Sequence, residues 1–121
     1  MKRFLGIYLG TAYSREASGW DAMDEAKRRQ LEEAGMKAWG DWMATNQACI
    51  VDSGGPLGRT KRISRDGITG VTNQMVGYVV LEAESHEAAA KKFEGHPHFT
   101  IFPGDGVEVM ECLPIPGMPE G

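Results

Sequence analysis

The chain has 121 residues, of which 41% are apolar and 25% charged, a balance typical of one globular domain rather than of a disordered chain. Thirteen lysines and arginines against 17 aspartates and glutamates give a net charge of −4, and no basic stripe stands out, which argues against nucleic acid as a partner. No apolar run approaches the length of a membrane span, so we expect no membrane partner either.

The first predicted element is a strand. Residues 2–9 read KRFLGIYL, an apolar run that is too short for the core of a signal peptide. Such a run with little polar interruption is typical of a strand covered on both faces. The next ten residues, GTAYSREASG, are small and polar, and they predict a connecting loop.

A long helix is predicted from about residue 22 to 45. Asp21 is the expected N-cap, and Asp24 and Glu25 would lie in the first turn, where the helix dipole favours acidic side chains. One apolar stripe repeats at three- and four-residue steps, and its members are Met23, Leu31, Ala34, Ala38 and Trp42. We expect this stripe to face the protein core.

Strand patterns dominate the middle of the chain. The stretch ACIVDSGGPLG predicts a short apolar run followed by a loop rich in glycine and proline. The dipeptide Asp66-Gly67 predicts a hairpin turn with a return strand over residues 68–71. The stretch VGYVVLEAE, residues 76–84, is the most strand-like in the chain because it is rich in β-branched and aromatic residues.

A second helix and a last strand complete the pattern. Ser85 is the expected N-cap of the helix. Gly95 is expected to end the helix in a left-handed conformation, and Pro97 prevents the helix from continuing. Residues 106–113, GVEVMECL, alternate in the manner of a strand. Residues 114–121 form a tail whose prolines exclude it from the centre of a sheet.

The resulting order, β-α-β-(hairpin)-β-α-β, predicts an α+β fold. It is the order of a ferredoxin-like unit, an antiparallel sheet with both helices on one face, formed by a single domain over residues 1–113. The bare face would carry Phe4 or Leu5, Tyr78 or Val79, and Val107 or Val109. Because this face is too apolar to be left in water, we expect a homodimer that buries it.

Five stretches in order, AWGDWM, VDSGGPLG, VGYVVLEAES, HEAAAKKFEGHPH and GVEVMEC, resemble the YCII-related family. The resemblance covers nearly the whole chain, and it implies a dimeric α+β barrel. The comparable region for the DGPF motif of one large branch reads GVTNQMVG, so nothing special to that branch is carried over.

The family resemblance also implies a possible active site. Its members are small bacterial proteins, mostly without assigned reactions, for which a His–Asp pair has been suggested. Asp52, just ahead of GGPL, matches the acid of that pair, whereas the first helix contains no histidine. Catalysis in the manner of the family therefore lacks its matching imidazole.

Two histidines flank Pro97, and they are the main candidates for chemistry. His96 and His98 either end the second helix or supply a binding group and a base, with Asp52 or Asp105 orienting the imidazole. A metal site would need further ligands that no spacing supplies, so we expect neither metal nor cofactor. Asp52 is either a turn residue ahead of Gly54 or a catalytic carboxylate.

Three aromatic residues complete the predicted site: Tyr8, Trp42 and Tyr78, which with His96 would bind substrate while Asp52 and His98 perform acid–base catalysis. The leading hypothesis is a homodimer that binds a small organic molecule in a cleft between the sheet and the first helix. Non-catalytic binding or sensing and a structural assembly domain are the alternatives. Cys49 and Cys112, far apart in sequence, suggest reduced thiols and a cytoplasmic protein.

Overall fold

A four-stranded antiparallel sheet lies at the centre of the structure, a computed structural model that describes residues 1–118. The elements are β1 (Lys2–Leu9), α1 (Ala12–Ala17), α2 (Glu25–Asn46), β2 (Ile50–Pro56), β3 (Thr60–Ser64), β4 (Gly67–Val71), β5 (Met75–Ala83), α3 (His86–Lys91), α4 (Pro97–Thr100) and β6 (Gly106–Glu111). The strand order is β2-β5-β1-β6, and β3 and β4 form a separate hairpin. The predicted α+β class with an antiparallel sheet is confirmed.

One face of the sheet is covered by helices, and we call it the covered face. Its central side chains are Phe4 and Tyr8 of β1 with Val79 and Leu81 of β5, all buried. Residues of α2 and α3 and of the turn after α3 pack on them, among them Trp39, Trp42, Ala89 and Phe93. This single cluster is the hydrophobic core.

The other face of the sheet is here called the open face. Leu5 pairs with Val80 and Met110, and Ile7 pairs with Tyr78. Residues directly opposite each other in an antiparallel sheet point to the same face, so these five side chains lie on the open face. Leu5 and Tyr78 thus lie where the sequence predicted them. Val107 and Val109 do not, because the register sets Val107 beside Tyr8 on the covered face, where both valines pack on the core.

Helix α2 begins later than predicted. Its N-cap is Asp24, whose carboxylate accepts a hydrogen bond from the Lys27 N–H at 2.8 Å. Asp21, the predicted cap, instead pairs with Arg15 at 2.9 Å. Among residues 1–118 no helix, α2 included, is both long and apolar enough to cross a bilayer.

The inward side of α2 also differs from the predicted stripe. Ala34 is exposed, while Gly35 is buried beneath the ring of Phe102. A Cβ atom at Gly35 would lie only 2.5 Å from Phe102 Cε2, so the glycine permits this contact. The pattern of apolar side chains in the sequence does not predict this contact, because glycine contributes no side chain to the pattern.

The stretch predicted as a loop after β1 contains the short helix α1. Thr11 caps it, and its hydroxyl accepts the Ser14 N–H at 3.2 Å. The hydroxyls of Thr11 and Ser14 both donate to the Asp105 carboxylate, which precedes β6. A six-residue helix held by such tertiary contacts has too few apolar residues to show a periodic pattern.

The end of the second predicted helix is confirmed in part. Ser85 caps α3, Gly95 has φ +69°, and α3 ends well before Pro97. Pro97, however, opens the separate short helix α4 as its first residue, a position that suits a residue without an N–H. His98 therefore lies in a helical turn, and the next strand begins only at Gly106.

The predicted hairpin is confirmed, with Gly67 at φ +107° in its turn. It stands apart from the four-stranded sheet, and its paired Ile63 and Ile68 are exposed. After Glu111 the described part of the predicted tail contains a turn but no further helix or strand. Residues 119–121 of that tail lie outside the described residues.

Candidate functional site

A cavity of about 340 Å³ lies on the covered face, between α2, the β2 and β5 edge of the sheet, and the α4 region. Its walls are mostly apolar or aromatic: Tyr8, Met36, Trp39, Ser53, Gly55, Pro56, Val76, Gly77, Tyr78, His98 and Phe102. No lysine, arginine, aspartate or glutamate is among these lining residues. The size and the lining are typical of a pocket for a small organic molecule.

Glycines shape this cavity. Gly77 pairs with Tyr8 across the sheet, and a Cβ atom there would lie 3.2 Å from Tyr8 Cδ2. A side chain at Gly77 would therefore crowd Tyr8 and reduce the cavity. On the opposite wall, Gly35 lets Phe102 lie against α2 beside Trp39, with the two rings 6.1 Å apart.

His98 is the imidazole that borders the cavity. Its Nε2 lies 2.6 Å from the backbone carbonyl oxygen of Leu9. A carbonyl can only accept, so Nε2 carries a hydrogen and donates it. The close approach of Gly104, whose added Cβ would lie 2.3 Å from Nε2, confines this side of the ring.

The other ring nitrogen of His98, Nδ1, has no hydrogen-bond partner within residues 1–118. In the same residues no fully buried side-chain nitrogen or oxygen lacks a partner. Nδ1 is therefore accessible from outside the protein interior. The open space next to His98 is the cavity. In the neutral ring this atom presents a lone pair, the arrangement of a hydrogen-bond acceptor or a base.

His96 lies behind the cavity wall and is not part of it. Only 1% of its surface is exposed, and the rings of Trp39, Trp42 and Tyr8 surround it. Burial, and to a lesser extent the neighbouring His98, lowers the pKa of His96 to about 4, so the ring is neutral at pH 7. Its Nδ1 accepts the backbone N–H of His98 at 3.0 Å.

Tyr8 connects His96 to the cavity. Its hydroxyl oxygen lies 3.4 Å from His96 Nε2, a long hydrogen bond, while the side chain forms part of the cavity wall. Burial raises the pKa of the Tyr8 phenol well above its usual value. The group therefore stays protonated and acts as a donor or acceptor of hydrogen bonds, not as an anion.

Asp52 is not on the cavity wall. Its carboxylate accepts hydrogen bonds from the Gly54 N–H at 2.8 Å and from the Tyr78 hydroxyl at 3.4 Å. Both contacts place it at the open face, where it pairs with Val80 of β5. Within the described residues Asp52 bonds no histidine, and the turn contact to Gly54 is the structural role that its sequence position suggested.

Tyr78 and Trp42, the other two aromatic residues of the predicted site, differ from each other in their position relative to the cavity. Tyr78 borders the cavity, but its hydroxyl is bonded to Asp52. Trp42 is not among the lining residues. Its Nε1–H donates to the Lys92 carbonyl at 2.7 Å, which ties α2 to the end of α3, and its ring packs on Phe93.

The lining residues that were not among the predicted site residues include Trp39, Met36 and Phe102. Trp39 lies one turn before Trp42 on α2, and the sequence allowed either of them to be core packing or the wall of an apolar pocket. Phe102 lies in the loop after α4, where no periodicity marks it. Its role depends on tertiary contact with Gly35 and Trp39.

Nothing in the described chain resembles a metal centre. No group of three or more His, Cys, Asp or Glu side chains within residues 1–118 is arranged to hold an ion. His86 lies elsewhere, with Nε2 2.7 Å from the Val109 carbonyl. Cys49 and Cys112 are both free thiols.

A search of solved structures finds the same fold in a known enzyme. The similar structure is 5-chloro-2-hydroxyhydroquinone dehydrochlorinase (TftG) from Burkholderia phenoliruptrix AC1100, in complex with 2,5-dihydroxybenzoquinone. The TM-score is 0.51 at 17% identity, over 89% of this chain and 90% of that chain. At this identity the likeness concerns the fold. No protein-family model and no curated protein sequence matches this chain.

Proposed function

We propose that this protein binds a small, mainly apolar organic molecule in the cavity on the covered face. The observation that carries the proposal is His98, which has an accessible Nδ1 and borders a cavity whose wall is mostly apolar and aromatic. Such a site combines a large apolar surface for affinity with a polar atom for orientation. The fold that the chain shares with TftG, a protein solved with a small cyclic ligand, supports the same conclusion.

The site is suited to metal-free acid–base chemistry. His98 Nδ1 would take a proton from an acidic O–H or C–H of the bound molecule, and the resulting imidazolium would keep its Nε2–H on the Leu9 carbonyl. Asp52 could assist His98 only as the carboxylate of a second copy, since its own side chain lies at the open face. Their pairing remains a prediction about a dimer.

Non-catalytic binding is the second candidate function, and one contact favours it. The partner that orients His98 is an uncharged carbonyl, not a carboxylate. A carbonyl holds the ring in place but stabilises an imidazolium less than a negative charge would. A binding or sensing domain would use the same cavity without any transfer of a proton.

We also propose a homodimer formed through the open face, in the manner of the dimeric α+β barrels and of the YCII-related family. Leu5, Val80 and Met110 give this face an apolar centre, and Met110 is exposed in the single chain. Burial of such a face is a common solution for an exposed apolar patch. Sedimentation equilibrium at micromolar concentration should give the mass of two chains, and the mass of one chain would contradict the proposal.

Binding can be tested with α-methylstyrene, a small apolar probe, by ligand-observed NMR and titration. Met36 lines the cavity and is 64% exposed, so a charge placed there should weaken binding without unfolding the protein. Ile68, on the hairpin and 67% exposed, is the matched control. We expect Met36→Glu to weaken binding about tenfold and Ile68→Glu to leave it unchanged. Equal affinity in both variants would show that the probe binds elsewhere.

A further inference from the structure

The hydrogen bonds around His96 determine which way the Tyr8 hydroxyl points its hydrogen. The Nδ1 atom of His96 accepts the backbone N–H of His98, and a backbone N–H can only donate. The neutral imidazole must then carry its hydrogen on Nε2. Nε2 faces the Tyr8 hydroxyl oxygen at 3.4 Å, so His96 is the donor and Tyr8 the acceptor in that contact.

This assignment leaves the hydroxyl hydrogen of Tyr8 without an acceptor. Within residues 1–118 the Tyr8 oxygen has no hydrogen-bond partner other than His96. Tyr8 is only 4% exposed, so bulk water does not surround the group. A buried donor without an acceptor is costly, and the space that Tyr8 borders is the cavity.

We infer that the cavity selects a neutral molecule that carries an acceptor oxygen, of the carbonyl or hydroxyl type, to which Tyr8 donates its hydrogen. The inference rests on the proposed binding function and specifies the ligand class. His96 is the positioning residue, because it fixes Tyr8 as the donor. The centroids of the Tyr8 and His98 rings are 5.3 Å apart, so one small ligand can contact both.

The charge of the lining argues for a neutral ligand. No lysine or arginine lines the cavity, so a carboxylate in it would lose its hydration without gaining a counter-charge. The raised pKa of Tyr8 points the same way, since the phenol stays protonated and available as a donor. A neutral oxygen in an otherwise apolar molecule satisfies both polar and apolar parts of the wall.

Three probes of similar shape test this inference: acetophenone, α-methylstyrene and benzoate. They present a carbonyl oxygen, a methylene group and a carboxylate at the same position. Wild type should bind acetophenone roughly three- to tenfold more tightly than α-methylstyrene, and benzoate most weakly. Tyr8→Phe should abolish the preference for the ketone while keeping affinity for the hydrocarbon. Tyr13→Phe, which changes an exposed tyrosine that does not line the cavity, is the matched control and should retain the preference.

The outcomes separate this inference from the proposed function. Equal binding of ketone and hydrocarbon to wild type, or a ketone preference that survives Tyr8→Phe, would overturn the inference and leave the cavity proposal standing. Tightest binding of benzoate would also overturn it. Failure of all three probes to bind would overturn both.

A measurement on the unmodified protein tests the positioning step independently of any variant's folding. Long-range ¹H–¹⁵N spectra at pH 7 distinguish the two neutral tautomers of a histidine. We expect His96 to carry its hydrogen on Nε2. A hydrogen on Nδ1, or a charged ring, would show that Tyr8 is not held as a donor and would overturn the inference.

Discussion

The two faces of the sheet each hold a tyrosine whose hydroxyl has a partner, yet they do so in different surroundings. On the covered face, Tyr8 is buried and contacts the neutral imidazole of His96. On the open face, Tyr78 is half-buried and donates to the carboxylate of Asp52. The Tyr8 hydroxyl thus has a hydrogen without an acceptor beside the cavity. The Tyr78 hydroxyl, in contrast, donates to a partly solvated carboxylate.

This difference shows why residue type alone did not locate the cavity. Asp52 and His98 are both suitable for acid–base chemistry, but the sheet separates them within one chain. The polar groups that the cavity can use are those whose remaining donor or acceptor is not satisfied by protein. Each experiment below tests a residue of the covered face or the cavity itself, and compares it with a control residue elsewhere in the chain.

The largest effect is expected at His98. In D₂O, wild type should accelerate deuterium exchange at the methyl carbon of bound acetophenone, and His98→Gln should lose about a hundredfold of that acceleration. Glutamine can still donate to the Leu9 carbonyl but has no basic nitrogen. His86→Gln, which changes an exposed histidine outside the cavity, should exchange at the wild-type rate. Equal rates with and without His98 would favour non-catalytic binding.

The fold was predictable where local signals act alone. The bounds of β1, the Ser85 cap and the left-handed Gly95 follow from apolar runs, capping side chains and glycine's conformational freedom. The short helix α1 was missed because tertiary contacts to Asp105 hold it. The N-cap of α2 was misplaced because Asp21 and Asp24 are chemically equivalent in sequence, and only the Arg15 contact distinguishes them.

The lining of the candidate site was predictable in one histidine and in part of its aromatic residues. His98, Tyr8 and Tyr78 were named, and all three border the cavity. Trp39 and Phe102 were not, because the pairing of Phe102 with Gly35 depends on packing between distant segments. A contact between Asp52 and a histidine could be predicted correctly only if the face of the sheet that Asp52 occupies were known. Sequence does not give this face, because the pairing of β2 is irregular at Asp52.

The next effect concerns acid stability, and it arises from His96. Its folded-state pKa of about 4 lies below the ordinary value of 6.5, so the unfolded chain binds the proton more readily. Stability should therefore fall as the pH drops from about 6.5 towards 4, by about 2 kcal/mol from this group at pH 4.5. Denaturant unfolding between pH 7 and 4.5 measures it. His96→Asn should flatten the profile, and a slope equal to that of wild type would contradict the assignment.

The smallest effect compares the two tyrosines by stability. Tyr8→Phe removes the acceptor of the buried His96 Nε2–H and should lower the free energy of unfolding by about 1–2 kcal/mol. Tyr78→Phe removes a bond at a partly solvated carboxylate and should change it by less than about 0.5 kcal/mol. Urea unfolding of both variants at pH 7 gives the comparison. A larger loss for Tyr78→Phe would reverse the roles assigned to the two faces.

The central claim, that the cavity beside His98 is the binding site, is tested most directly by mapping a probe on the unmodified protein. Trp39 lines the cavity, whereas the indole N–H of Trp42 is bonded to the Lys92 carbonyl behind it. In ¹H–¹⁵N spectra titrated with acetophenone, the Trp39 indole and the backbone amides of His98 and Phe102 should shift most. Trp42 and the hairpin residues Ile63 and Ile68 should shift little. Shifts centred on the hairpin or on Asp52, with His98 and Trp39 unmoved, would contradict the account.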